Sequence, residues 1–216
     1  MSQRDDQTPT PRRPRMTGAA RREQLVSVGR GLFAAKGVDG TSVEEIAATA
    51  RVSKPAVYEH FGGKEGLYAV VVDRELRTLT DRITTSLTRG GSDRETIERA
   101  ALALFDYIEG SSDGFRILVR DVAGGAPTGT YSSLMSDVAA QVSYLLSDAF
   151  EQRGFDTQAA PMYAQMLVGM VSLTGQSWLE TRSPAKEVVA AHVVNLAWNG
   201  LTGLRSAPAG LGASGA

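Results

Sequence analysis

The chain has 216 residues, 42% of them hydrophobic, with no cysteine and two histidines. That suffices for one or two packed domains and excludes disulfides, cysteine–zinc sites and cysteine nucleophiles. The formal net charge is −1, but residues 1–64 carry 11 lysines and arginines against 7 acids, and residues 65–216 carry 12 against 17. A basic front on an acidic body hints at a polyanionic partner at one end. No apolar run approaches ~18 residues, so no membrane span is expected. The start, MSQRDDQTPTPRRPRMTG, lacks the apolar stretch of a secretory signal, and a cytoplasmic location is expected.

Residues 1–17, rich in Pro, Arg and Thr, read as a disordered basic arm, and the small-residue run 205–216 reads as a disordered tail. Between them the periodicity is helical, with no alternating strand. The first helix spans 18–36, with Leu25, Val28, Leu32 and Phe33 inward and Gly37 as its stop. Ser42 and Glu45 have capping-box spacing, so a short helix starts near Val43, with Ile46, Ala47 and Ala50 inward. Residues 51–53 form a turn. The next helix is capped by the Ser53 hydroxyl, has Pro55 in its first turn and ends at Gly62-Gly63. Val57 and Phe61 face inward, against Ile46, Leu32 and Phe33; Lys54, Ala56, Glu59 and His60 are left outside.

A long helix follows over 64–89, carrying Leu67, Val71, Leu76, Leu79, Ile83 and Leu87. A helix capped by Ser92 and Glu95 has Ile97, Ala100, Ala101, Leu104, Phe105 and Ile108 as its stripe. A short one spans 114–123, stopped by Gly124-Gly125. The next covers 129–152, with Tyr131, Leu134, Met135, Val138, Val142 and Leu145 inward. Another runs over 159–181. The last starts with Ser183 as cap and Pro184 as its first helical residue, and ends near Leu204. The expected fold is all-α: a three-helix domain over 18–63 and a larger helical bundle over 64–204, nine helices together.

Two short helices joined by a three-residue turn and packed on a first helix match a helix-turn-helix. In that motif the second helix enters the DNA major groove with its N-terminal residues at base edges. The string TSVEEIAATARVSKPAVYEHFGGKEGLY, after RREQLVSVGRGLFAAKGVDG, strongly resembles the DNA-binding domain of the TetR family of bacterial transcriptional regulators. The resemblance is close over residues 19–70; beyond them it rests on helix number and length. Arg51 stands where the family usually has glycine, and Pro55-Ala56 where it often has Gly-Thr.

The resemblance implies a non-enzymatic repressor without metal or cofactor, binding a double-stranded operator as a homodimer and responding to a small molecule. It implies phosphate contacts from Tyr58, Ser53, Thr41 or Ser42, and Lys64. An arginine at 51 could add a phosphate contact. Lys54, Pro55, Ala56 and His60 would face the groove or its rim, where lysine can donate to guanine and Ala or Pro can pack on a thymine methyl. Arg12, Arg13 and Arg15 could enter a minor groove.

The resemblance further implies that the last two helices of each copy form a four-helix interface. Gly169, Ser172, Gly175 and Gly200 permit close approach there, and Val189, Val193, Leu196, Trp198 and Leu201 supply apolar surface, with His192 as a core or interface histidine. Phe105, Phe115, Met135, Met166, Met170 and Trp178 are candidates for an effector pocket; no buried charge pair is legible, which favours an apolar or amphipathic ligand. The competing classes are an enzyme and a helical protein-interaction module. No catalytic triad order, phosphate loop or HExxH string supports the former. An activator of the same fold is the other alternative, because the sign of regulation depends on operator position.

Overall fold

The computed structural model describes residues 16–123 and 131–204. The expected arm through residue 15, with Arg12, Arg13 and Arg15, the Gly124-Gly125 stop and the tail 205–216 lie outside the described residues. Among the described residues are nine α-helices, one 3₁₀ turn and no strand. They are α1 Gly18–Lys36, α2 Val43–Ala50, α3 Lys54–Phe61, α4 Lys64–Thr88, α5 Asp93–Gly110, α6 Ser112–Ala123, α7 Tyr131–Gln152, α8 Ala160–Thr181 and α9 Lys186–Thr202, with the 3₁₀ turn Thr157–Ala159 leading into α8. The all-α expectation and the order of the helices hold.

Two boundaries differ from the sequence reading. Helix α6 begins at Ser112, not Gly114, because the Ser111 carbonyl already accepts the Phe115 N–H at 2.9 Å. Helix α9 does not start on the Ser183 cap and Pro184: Ala185 is its N-cap and makes no side-chain bond. The Pro184 carbonyl instead accepts the Trp178 indole N–H at 2.7 Å, which ties the connection back onto α8. The helix then opens at Lys186, whose amine pairs with Asp106 of α5 at 2.9 Å and with Glu109.

Helices α1 to α3 form a head around Leu25, Phe33, Ile46, Ala47 and Val57, all buried. Fully burying a Val or Leu side chain contributes roughly 1.5–3 kcal/mol, and a helix of eight residues has no stability of its own. This packing is therefore what keeps α2 and α3 folded. The core of the head also takes in Leu67 and Val71 of α4 and Ile117 of α6. The chain boundary at 63/64 is thus not a packing boundary. The rest of α4, with α5 to α9, builds a second core around Leu79, Leu104, Phe105, Ile108, Phe115, Leu118 and Trp178. Edge-on ring pairs knit it: Phe105 with Trp178 at 5.6 Å and Phe115 with Tyr131 at 5.5 Å between centroids.

The corner between α3 and α4 is made by Gly62, in the left-handed region at φ 73°, and closed by Gly66. A β-carbon on Gly66 would overlap the backbone carbonyl of Phe61. Gly66→Ala is therefore expected to lower stability by about 2 kcal/mol, the cost of over-packing against a fixed backbone, measured by urea denaturation.

Candidate nucleic-acid interface

The turn between α2 and α3 is set by Arg51, which occupies the left-handed region at φ 54°, ψ 46°. Its N–H bonds to the Ala48 carbonyl at 3.1 Å, and the Val52 N–H bonds back to Ala47 at 2.9 Å. This paired closure is the usual end of a helix on a left-handed residue. Here an arginine fills a position that suits glycine, and its side chain is exposed.

Ser53 then opens α3 in extended backbone. Its hydroxyl makes no capping bond, contrary to the sequence expectation. The Ala56 N–H bonds to the Ser53 backbone carbonyl at 3.1 Å instead. Pro55 removes one donor from the first turn, so fewer N–H groups need a cap. The Ser53 side chain is left at the surface.

On α3, Val57 is buried and Phe61 half-buried, with the Arg22 guanidinium 4.5 Å above its ring. Lys54, Pro55, Tyr58 and Glu59 are exposed; Ala56 and His60 are half-buried. Tyr58 is 56% exposed, and its ring borders Gly63 at the start of α4. The Lys54 amine pairs with Glu44 of α2 at 2.5 Å, and that hydrogen bond holds the Glu44 carboxyl below its usual range. Both partners are mostly exposed, so the pair is weak and easily exchanged.

Two expected phosphate ligands sit elsewhere. Thr41 is only 2% exposed, and its hydroxyl donates to the Gly37 carbonyl at 2.8 Å. The Lys64 amine donates to the carbonyls of Val38 at 3.0 Å and Thr41 at 3.1 Å. Both hold the α1–α2 connection together. Ser42, exposed, accepts the Glu45 N–H at 3.1 Å, and its hydroxyl also hydrogen-bonds the Glu44 carboxylate. The head also has a clamp with no sequence signal: the Gln24 side-chain amide donates to the Ala50 carbonyl at 3.0 Å and fixes α1 against the end of α2.

In the bundle lies a cavity of about 720 Å³ between α4, α5, α7, α8 and α9. Its walls include Ile83, Leu104, Met135, Val142, Val171 and Trp198, and its charged lining is Asp93, Asp148 and Arg153. Of the sequence candidates only Met135 lines it. Phe105, Phe115 and Trp178 are buried in the core, where they pack on other rings. Met166 is exposed and Met170 half-buried, and neither faces the cavity. For the three aromatics, helical spacing shows that a residue points inward, not whether it meets a neighbour or a void; Met166 lies on the outer face of α8.

The expected interface residues divide in three. Trp198, Leu201 and Ser172 line the cavity, and the Ser172 hydroxyl lies 2.7 Å from that of Tyr131. Gly175, Val189 and Val193 serve the chain's own packing: a β-carbon on Gly175 would press into Ile108, Val189 packs on the bundle core and Val193 is buried. Leu196 is exposed, and Gly169 and Gly200 have open space where a β-carbon would stand.

The family model described as bacterial regulatory proteins, tetR family, matches residues 25–71. Across 191 residues the chain is 30% identical to the HTH-type transcriptional activator FasR of Mycolicibacterium smegmatis, covering 84% of this chain and 83% of that one. The chain belongs to the TetR family. A second relative, the HTH-type transcriptional repressor KstR2 of Rhodococcus jostii, is 26% identical over 53% of this chain and 56% of its own. The crystal structure of a TetR-like transcriptional regulator from Rhodococcus sp. RHA1 superposes with a TM-score of 0.75 at 25% identity, covering 88% of this chain and all of that one. As a TetR-family member the protein is a DNA-binding transcription regulator and not an enzyme. No described helix is long and apolar enough to cross a membrane.

The left-handed Arg51 makes a clean prediction. Arg51→Gly should raise stability by about 1 kcal/mol by relieving the β-carbon clash of that conformation, seen as a higher denaturation midpoint with an unchanged slope.

Proposed function

We propose that the protein is a homodimer that binds a palindromic DNA operator as a repressor and is released by a small apolar or amphipathic ligand. The observation that carries the reading is the exposed outer face of α3, held on a buried α2–α3 scaffold. Tyr58, Ser53, Ser42 and Arg51 contact phosphates and fix the register. Lys54, Pro55, Ala56 and His60 lie at the groove, with Lys54 exchanging Glu44 for a base or phosphate. The partially positive end of a helix adds to the attraction for phosphate.

Dimerisation through the last two helices is supported by apolar residues facing outward on both. On α8 these are Met162, Met166 and Leu173, the last 67% exposed, at four- and seven-residue spacing around the open Gly169. On α9 they are Val188 and Leu196, the latter 65% exposed, with exposed His192 between them. A two-fold interface buries one such patch against its own copy. The apolar cavity supports the ligand: it is large enough for a small molecule, and its charged lining is confined to three residues. Release follows when the ligand binds better to a head spacing that misfits the operator. Repression places the operator across a promoter in the cytoplasm. A second reading, activation from an upstream operator, is favoured by the likeness to FasR, which is called an activator.

Selection of duplexes from a random DNA pool tests the reading. A palindromic winner is expected, with affinity falling steeply as salt rises. Tyr58→Phe should bind more weakly with the same sequence preference, the signature of a lost phosphate contact. No enrichment from a folded dimer at low salt sinks the proposal, and transcription from the winning operator, with and without protein, sets the sign.

The chain has two tryptophans, Trp178 in the core and Trp198 in the cavity wall. In Trp178→Phe, the emission of Trp198 should therefore shift on adding long-chain alcohols or fatty acids. A flat response across the series removes the ligand from the proposal.

A further inference from the structure

A largely covered carboxylate between head and bundle belongs neither to the DNA interface nor to the cavity. Glu75 lies on α4 between Val71, in the core of the head, and Leu79, in the core of the bundle. Its side chain is 12% exposed. One oxygen, Oε1, accepts the Arg30 Nε–H of α1 at 2.6 Å. The other, Oε2, accepts the Tyr107 hydroxyl of α5 at 2.6 Å and the Ser111 hydroxyl at 3.0 Å. The Arg30 guanidinium also donates to Ser111 Oγ at 2.5 Å, and Asp113 stands 4.0 Å from it. Gly114 leaves the room: a β-carbon there would overlap Oε2. Burial, then the bond to Glu75, push the Tyr107 phenol far above its ordinary pKa, so it stays a neutral donor.

The carboxylate is thus divided, with one oxygen toward the head and one toward the bundle. The pair is partly buried, with Arg30 30% exposed, and such an ion pair adds little net stability over a well-packed apolar replacement. What it adds is direction, because each hydrogen bond tolerates only a narrow range of distance and angle. Leu104, one helical turn before Tyr107 on α5, lines the cavity, so the cavity wall and the bundle side of this cluster share one face of one helix.

We propose that Glu75, holding Arg30 with one oxygen and Tyr107 with the other, is the positioning residue that fixes the angle of the head on the bundle and hence the pose in which α3 meets DNA. The inference rests on the operator-binding reading above.

The 216-residue chain, free of cysteine, tests it directly. Spin labels on Ala35→Cys in the head and Glu98→Cys in the bundle, both exposed, report the head-to-bundle distance, with labelled chain diluted in unlabelled. The wild type should give a narrow distribution. Glu75→Gln and Tyr107→Phe should broaden it and weaken operator binding by about tenfold, within the range of distal coupling. Glu23→Gln is the control. It cuts the exposed pair of Glu23 with Arg74 at 2.6 Å, which joins the same two helices, and should leave both readouts alone.

Tyr107→Phe removes a single hydroxyl and decides the matter if Glu75→Gln does not fold. Folded variants with wild-type distance widths, and affinities within about twofold, overturn the proposal. Should the wild type bind no operator at all, the operator reading fails, and the distance widths alone still judge Glu75.

Discussion

Everything in this molecule hangs on α4 being packed into two cores at once. Its first turns bury Leu67 and Val71 under the head; its later turns bury Leu79, Ile83 and Leu87 in the bundle. A helix is stiff over this length, so the two cores cannot rotate independently without breaking contacts on one of them. The remaining links reinforce the same joint. Ile117 of α6 reaches into the core of the head, and the Arg120 guanidinium donates to the Ala34 carbonyl at 3.1 Å. Glu75 sits where the apolar stripe of α4 changes cores, and a polar residue costs least at that seam.

The head shows how a surface can be held in place without contributing to its own stability. Helix α3 has eight residues and one fully buried side chain, Val57. Its order is imported from the turn at Arg51, the glycine corner into α4 and the core beneath. That leaves its outer positions free of packing duties, so they can vary in chemistry without unfolding the scaffold. Thr41 and Lys64 illustrate the opposite case. Both are polar residues that flank α2 and α3, yet their hydrogen bonds are directed at backbone carbonyls of the connection between α1 and α2.

Local signals were legible in the sequence wherever they were local in cause. Capping by Ser42 and Ser92, the stop at Gly37 and the corner after Phe61 all follow from residues within a turn of each other. So did the all-α fold and the motif that carries the family. The misreadings concern relations across space. Ser53 has capping chemistry, but a proline nearby reduced the need for it. Pro184 could start a helix, but Trp178, distant in angle though near in sequence, claims its carbonyl. The aromatic candidates and Met135 pointed inward as expected while Met166 faces outward, and which inward positions border a void depends on the mutual placement of five helices. The Glu75 cluster joins residues up to 81 apart, Arg30 and Ser111, and no spacing rule reports such a meeting.

Helix α9 deserves a last consideration. Trp198 and Leu201 look into the cavity, while Val188 and Leu196 look out to the surface proposed for the second copy. The two faces belong to one rigid cylinder, so a guest that shifts the inner face must shift the outer one. Linkage then runs both ways: whatever a guest does to the strength of the pairing, the pairing does to the affinity for the guest by the same factor. Were the surface paired and the cavity filled as proposed, guest affinity would vary with the concentration of the protein itself.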